Sequence, residues 1–362
     1  YQRFIDWLKT GWWDLPEAVE LMPLIKARYS VEDAALLTGM PFKGHSVEDL
    51  AEMKGLDAQE LRPKLEELAK KPVIFQTWHG DTVKYSLNDS FFVFYRSSFW
   101  RGDREESTVA MAGLVNKYFY HGFMDDYEPV HSKMLRAIPI NRTVEDTKTL
   151  LPYEDVVKLI EDVDYLCVST CACRHRKNID PEYPECGHPD EVCLHFDTLA
   201  RFVVNNGMGR EITREEAYEI LKKSADSGLV HSVGNSQANS DTICNCCKCC
   251  CQWFEAYYRL GHSRSVDPSN YLVEVTPETC KGCALCVKRC PMDALQLRYS
   301  RKAANKFNKA PELDTGLCIG CGVCVHKCPT ESIRLSPKDT VADTPKDFRE
   351  YLRRFDEASG RV

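Results

Sequence analysis

The run Cys280-x2-Cys283-x2-Cys286-x3-Cys290-Pro291 recurs as Cys318-x2-Cys321-x2-Cys324-x3-Cys328-Pro329, with each cysteine displaced by the 38 residues that separate 280 from 318. An internal duplication with its thiols in register confines this part of the chain to two similar half-units. Cysteines three apart on a tight loop can reach three irons of one cubane, while the fourth, followed by proline, is aimed away toward the other half. Gly282, Gly320 and Gly322 lie inside these loops and are expected to let backbone N–H groups approach sulfur, which stabilises a reduced centre and tunes its potential. Zinc can be held by two C-x2-C pairs, but three cysteines in a row with a Cys-Pro ending argue against it.

With both motifs intact, the chain over roughly residues 271–335 resembles the bacterial two-[4Fe-4S] ferredoxin. The resemblance implies a duplicated βαβ fold and crossed ligation. Cys280, Cys283, Cys286 and Cys328 would hold one cluster, and Cys318, Cys321, Cys324 and Cys290 the other. One stretch departs from the family pattern. Arg298, Arg301, Lys302, Lys306 and Lys309 occur with no acidic residue from Leu297 to Pro311. This is either a solvated loop or a basic patch that docks an acidic redox partner.

The chain has 19 cysteines, and a disulfide framework does not account for them. Their number is odd, none precedes Cys167, and Cys244-Asn-Cys246-Cys247-Lys-Cys249-Cys250-Cys251 is too dense for separate bridges. Packed thiolates suit soft metal sites in a reducing compartment. Cys167, in the β-prone run Tyr165–Thr170, reads as a buried apolar residue. The remaining candidates are Cys171, Cys173, Cys186, Cys193, Cys244, Cys246, Cys247, Cys249, Cys250 and Cys251. On a helix, Cys244, Cys247 and Cys251 would share a face; in an extended run, neighbours would alternate. Neither geometry brings all six thiols of the run to one cubane. One or two further [4Fe-4S] clusters are expected here, with zinc or an unusual multi-iron cluster as alternatives. His188 and His195 flank Cys186 and Cys193 as ligands or, the preferred reading, as surface or supporting residues. Arg174, His175 and Arg176 follow the C-x-C and could offset thiolate charge or hold an anionic substrate. The two segments look like those of multicluster iron–sulfur proteins of anaerobes.

Upstream, Tyr1, Phe4, Ile5 and Leu8 form one helical stripe, followed by Trp12 and Trp13. Pro16 is expected to open a helix through about Arg28, a short helix follows Val31, Ser46 and Asp57 cap two more, and a hairpin turns at His79-Gly80-Asp81. With these elements, residues 15–90 resemble the winged-helix domains of transcription regulators. The last of these helices balances Asp57, Glu60, Glu66 and Glu67 against Arg62, Lys64, Lys70 and Lys71, a poor surface for phosphates, so docking is favoured over duplex binding. Pro152 is expected to open a helix with Val156, Val157 and Ile160 inward. Thr213-x-x-Glu216 reads as a capping box, and Gly228 as that helix's stop.

A net charge of −7 argues against general nucleic-acid binding, and 43% hydrophobic residues suffice for real cores. No apolar run approaches the ~18 residues of a membrane span, no charged-then-apolar leader opens the sequence, and no dinucleotide or phosphate-binding fingerprint is present. The expected fold is α+β: a winged-helix-like docking domain (1–90), an α/β cysteine-rich domain (91–265), the ferredoxin module (266–340) and a helical tail (341–362). The expected function is cytoplasmic electron transfer through several [4Fe-4S] clusters to a partner oxidoreductase. The alternatives are a reductase that binds substrate at an open iron of the 171–251 cluster and a redox-sensing regulator.

Overall fold

The computed structural model describes residues 1–144, 150–238 and 240–360, which mix helix and strand as an α+β chain should. They form two compact units, one built from Tyr1–Pro129 and Tyr165–Ile212, the other from Val130–Asp164 and Thr213–Ala358. The cysteine-bearing segments 171–193 and 244–251 thus belong to different units.

In the first unit, α1 (Gln2–Leu8) buries Phe4, Ile5 and Leu8. Phe4 packs edge-on to Tyr29, and Trp13 stacks on Phe91 and Phe123, so this aromatic stripe covers its own chain. The next helix, α2, runs only over Leu21–Arg28. Pro16 does not open it: residues 14–18 are irregular, and the Pro16 carbonyl accepts from the Tyr118 hydroxyl at 2.8 Å. The elements α3 (Val31–Leu37), α4 (Val47–Lys54) and α5 (Ala58–Lys70) follow. Ser30 and Ser46 form full capping boxes with Asp33 and Asp49, and Asp57 caps α5 through the N–H groups of Gln59 and Glu60. Strands β1 (Ile74–His79) and β2 (Thr82–Leu87) pair antiparallel across Gly80, whose φ of +59° suits a tight turn. Beyond them lie α6 (Ser90–Tyr95) and α7 (Glu106–Tyr118).

The chain then enters the second unit with β3 (Leu135–Ala137) and α8 (Val156–Glu161). Pro152 sits in a turn ahead of α8, and Asp155 is the cap, accepting from the N–H groups of Val157 and Lys158. Val156 and Ile160 face inward, but Val157 is exposed, since so short a helix buries a single stripe. The turn places the Glu154 carboxylate in a buried network. Glu154 accepts from Arg136 at 3.2 Å and from the Asn270 backbone and side chain at 3.0–3.2 Å, while Arg136 also binds Asn235 and Thr344.

Back in the first unit, β4 (Leu166–Thr170) leads into α9 (Ala172–Asn178), β5 (Glu191–Phe196), α10 (Asp197–Asn205) and β6 (Gly209–Glu211), with β4 paired to both β5 and β6. In the second unit, Thr213 caps α11 (Arg214–Ser227) and Gly228 ends it in the left-handed conformation. Strand β7 (Val230–Gly234) pairs with β3 and with β8 (Thr242–Cys246), and α12 (Gln252–Arg259) follows.

The cysteine duplication occupies β9 (Tyr271–Val275), α13 (Leu285–Arg289), β10 (Leu295–Tyr299), β11 (Lys309–Leu313) and β12 (Ile333–Pro337). Strand β9 pairs with β12, and β10 with β11. Val273, Leu295, Ile333, Leu335, Cys286 and Cys324 share one core. The repeat is not symmetric in backbone form: Cys286 lies in α13, whereas its counterpart Cys324 lies in a turn over 323–327. The chain continues into α14 (Phe348–Ala358), which buries Tyr351 and Phe355. Among the described residues no helix is long and apolar enough to cross a membrane.

Candidate metal centres

Two hollows lie within the β9–β12 region. One is lined by Cys280, Cys283, Cys286 and Cys328. The other is lined by Cys318, Cys321, Cys324 and Cys290. Each collects three cysteines of one motif and the Cys-Pro cysteine of the other. Four soft donors around one atom-free hollow are a fitting donor set for a cubane.

The surroundings of the two hollows differ. Cys283 is exposed and Cys280 half-buried, whereas Cys321 and Cys324 are buried. Burial pushes the Cys286 thiol up to about 11 and the Cys321 thiol up to about 12. Thiolate ligands must lose that proton, so metal uptake at these positions releases protons. Backbone N–H groups do donate to sulfur: Gly282 to Cys280 at 3.4 Å and Ala294 to Cys290 at 3.3 Å. Gly320 and Gly322 serve another purpose. A Cβ at Gly320 would collide with the Ser269 hydroxyl and the Tyr271 carbonyl, and one at Gly322 with the Thr143 hydroxyl. These glycines let the second loop press against its own unit.

Arg289, just before Cys290, ties that loop down further. It donates to Val323 O and to the carbonyls of Ala225 and Asp226 in the last turn of α11, where a cation complements the helix dipole. The Asp226 carboxylate takes hydrogen bonds from Lys327 and His326, which hold it far below the usual carboxylate range.

The dense run is strand, then turn, then helix start. Cys244 and Cys246 are two apart on β8 and therefore share a face. Cys246 is hydrogen-bonded to Cys244 and to Cys251, the residue that begins α12. The turn between them gathers Cys247, Cys249 and Cys250, whose sulfurs all lie within 4.8 Å of one another, with Cys249 and Cys250 at 3.7 Å. Neighbouring thiols and burial push both Cys246 and Cys250 far above the ordinary thiol range. Six cysteines thus divide into two groups of three, neither of them the helical grouping of Cys244, Cys247 and Cys251.

This run adjoins the Cys290 loop. The Tyr258 hydroxyl donates to Pro291 O at 2.6 Å and contacts Asp293 at 3.1 Å, and Lys248 pairs with the same Asp293 while lying over the Tyr258 ring. Tyr258 and Asp293 carry no motif, and nothing in the sequence marks them.

In the first unit, Cys171 ends the β4 segment as the residue before α9, Cys173 lies in α9, Cys186 lies in the following loop and Cys193 is buried on β5 opposite Ser169. Cys167 is fully buried and its thiol is pushed up to about 12 by burial, as a core residue should be. His195 is a buried supporting residue: its Nε2 meets the Ser169 hydroxyl at 2.8 Å, its ring packs on Trp100, and burial keeps it neutral. His188 is half-buried. Arg174 is fully buried and donates to Pro189 O, and His175 meets Asp103 O at 2.6 Å. Arg176 is also fully buried, over the Tyr95 ring, yet its guanidinium has no hydrogen-bond partner among the described residues.

Residues 273–336 match the family described as a 4Fe-4S dicluster domain. No curated protein matches the chain. The chain therefore carries a 4Fe-4S dicluster domain and a further cysteine cluster outside it.

Proposed function

We propose that this chain is an electron-transfer protein, or the electron-transfer subunit of a larger oxidoreductase, that passes low-potential electrons through several [4Fe-4S] clusters to a partner enzyme in a reducing, cytoplasmic setting. The observation that carries the reading is the pair of hollows, each lined by four cysteines drawn from both motifs. Cys280, Cys283, Cys286 and Cys328 hold one cluster; Cys318, Cys321, Cys324 and Cys290 hold the other. Such clusters accept and return single electrons without any bond being made or broken in the protein. The chain's own residues set burial, N–H···S contacts and access.

The ten thiols of 171–251 are the proposed donors to one or two further [4Fe-4S] clusters, or to zinc. The contact of Tyr258 and Lys248 with the Pro291–Asp293 turn supports a relay from the Cys318-side cluster to the Cys244–Cys251 run. The α3–α5 helices and the β1–β2 hairpin form a winged-helix-like docking module in this reading. Duplex DNA binding with a steep salt dependence would instead favour a regulator.

The decisive experiment pairs substitutions across the motifs. Cys290→Ser should perturb the same EPR centre as Cys318→Ser, and Cys328→Ser the same centre as Cys280→Ser. If Cys290→Ser disturbed the Cys280 centre instead, the crossed assignment would be wrong. Iron and acid-labile sulfide well above the ~8 per chain of two cubanes would support the further clusters; a value of ~8 would leave zinc or free thiols at 171–251.

A further inference from the structure

The connection between β10 and β11 folds over the loop of the first motif. The Asn305 side chain donates to Cys280 O and to Lys309 O, both at 2.8 Å, and its carbonyl oxygen accepts from the Phe307 N–H at 3.1 Å. Gly282 leaves room for this contact: a Cβ there would stand 3.0 Å from Asn305 Oδ1 and 3.2 Å from the Phe307 ring. The exposed basic side chains Arg301, Lys302, Lys306 and Lys309 are therefore anchored beside the exposed Cys283, and Lys281 joins them from the motif loop. Two aromatic rings stand out of the same hairpin into solvent, Tyr299 at 70% exposure and Phe307 at 53%. Exposed aromatics within a ring of one charge sign have the composition of a protein contact patch.

We propose that the hairpin tip, Tyr299 to Lys309, is the docking surface for an acidic one-electron redox protein, and that electrons cross there to or from the Cys280-side cluster. The charge of the patch selects the occupant, because a chain of net charge −7 presents here a stretch free of acidic residues. The Cys318-side loop is pressed into its own unit by Ser269, Tyr271 and Thr143. In each transfer the partner's centre loses one electron and the cluster gains it, or the reverse, with no bond change. The proposal rests on the electron-transfer reading above.

The test uses the anaerobically purified full chain and a flavodoxin, an acidic one-electron flavoprotein, as probe. Zero-length carboxyl–amine cross-linking followed by peptide mapping should place the links on Lys281, Lys302, Lys306 or Lys309. Links confined to other lysines would overturn the proposal. In parallel, the triple variant Arg301→Glu, Lys302→Glu, Lys306→Glu is compared with a control of equal charge change on other exposed faces, Lys158→Glu, Arg349→Glu, Arg353→Glu. The hairpin variant should lose about tenfold in bimolecular rate at ~20 mM salt and converge with wild type near ~0.5 M. The control should lose less than about threefold. Equal losses in both would reduce the effect to net charge and overturn the location. An unchanged visible spectrum in the variants confirms that the clusters are retained, and bleaching by dithionite in all three proteins tests the electron-transfer reading separately.

Discussion

The two halves of the cysteine duplication carry the same spacing and the same Cys-Pro ending, yet the first has an exposed thiol, Cys283, while the loop of the second is pressed against Ser269, Tyr271 and Thr143. Around Cys280–Cys286 the neighbours are a hairpin tip and open surface, with Cys283 exposed. Around Cys318–Cys324 they are Ser269, Tyr271, Thr143 and the end of α11, with Cys321 and Cys324 buried. A repeated ligand pattern thus yields two chemically similar centres in unequal environments. Burial and hydrogen bonding set the potential of an iron–sulfur centre and exposure sets who can reach it, so equal spacing does not imply equal properties.

The sharpest way to break this comparison is a matched pair of glycine substitutions. Gly320 has φ +65° and Gly282 φ +72°, so alanine is strained at both. At Gly320 the new methyl also meets the Tyr271 backbone, which cannot yield, while at Gly282 it meets the ends of Asn305 and Phe307, which can. Gly320→Ala should cost more than ~3 kcal/mol and lower iron content by about half of the two-cluster complement; Gly282→Ala should retain both clusters. Equal losses, measured as iron per chain and melting temperature, would mean that the environments are not as different as described.

An effect of similar size, but without direct loss of iron, is expected where the buried half is anchored. Arg136→Met leaves the Glu154 carboxylate buried without its cation, beside the Asn270 backbone that precedes β9. Removing one partner of a buried pair costs about 3–5 kcal/mol. Chemical unfolding should register that loss, and the Cys318-side EPR signal should broaden before the Cys280-side signal does. A loss below ~1 kcal/mol would show that Asn270 alone satisfies the carboxylate.

Asn305→Ala sharpens the comparison on the exposed side. It removes two hydrogen bonds that pin the hairpin to Cys280 and Lys309, each worth about 1 kcal/mol. The expected outcome is faster bleaching of the Cys280-side cluster in air with little change in global melting. Uniform bleaching of both clusters would argue that the hairpin shields neither. The smallest effect lies in the other unit, at a site that touches no cysteine. Ser46→Ala removes an N-cap and should cost about 1 kcal/mol, with iron content and EPR spectra unchanged.

Local signals in the sequence are legible where the cause is local. Ser46, Asp57, Thr213 and Gly228 cap or stop helices through their own side chains or backbone, and each does so in the structure. Pro16 and Pro152 misled, because a proline permits a helix start without compelling one. Tyr118 claims the Pro16 carbonyl from more than a hundred positions away, and Arg136 and Asn270 draw Glu154 into a turn where a helix was expected. Asn305 and Tyr258 were invisible for the same reason: each acts through one hydrogen bond to a distant carbonyl.

By itself the sequence determined the duplicated motif and the eight cysteines that line the two hollows, since the spacing of ligands along a tight loop is a property of the covalent chain. Only the tertiary structure decided how the six thiols from Cys244 to Cys251 divide, through a strand that sets Cys244 and Cys246 on one face and a turn that gathers Cys247, Cys249 and Cys250. It also decided which half of the duplication meets solvent. Exposure depends on what packs against a loop, and Ser269, Tyr271 and Thr143 lie outside the motif they bury, so identical spacing carries no record of them.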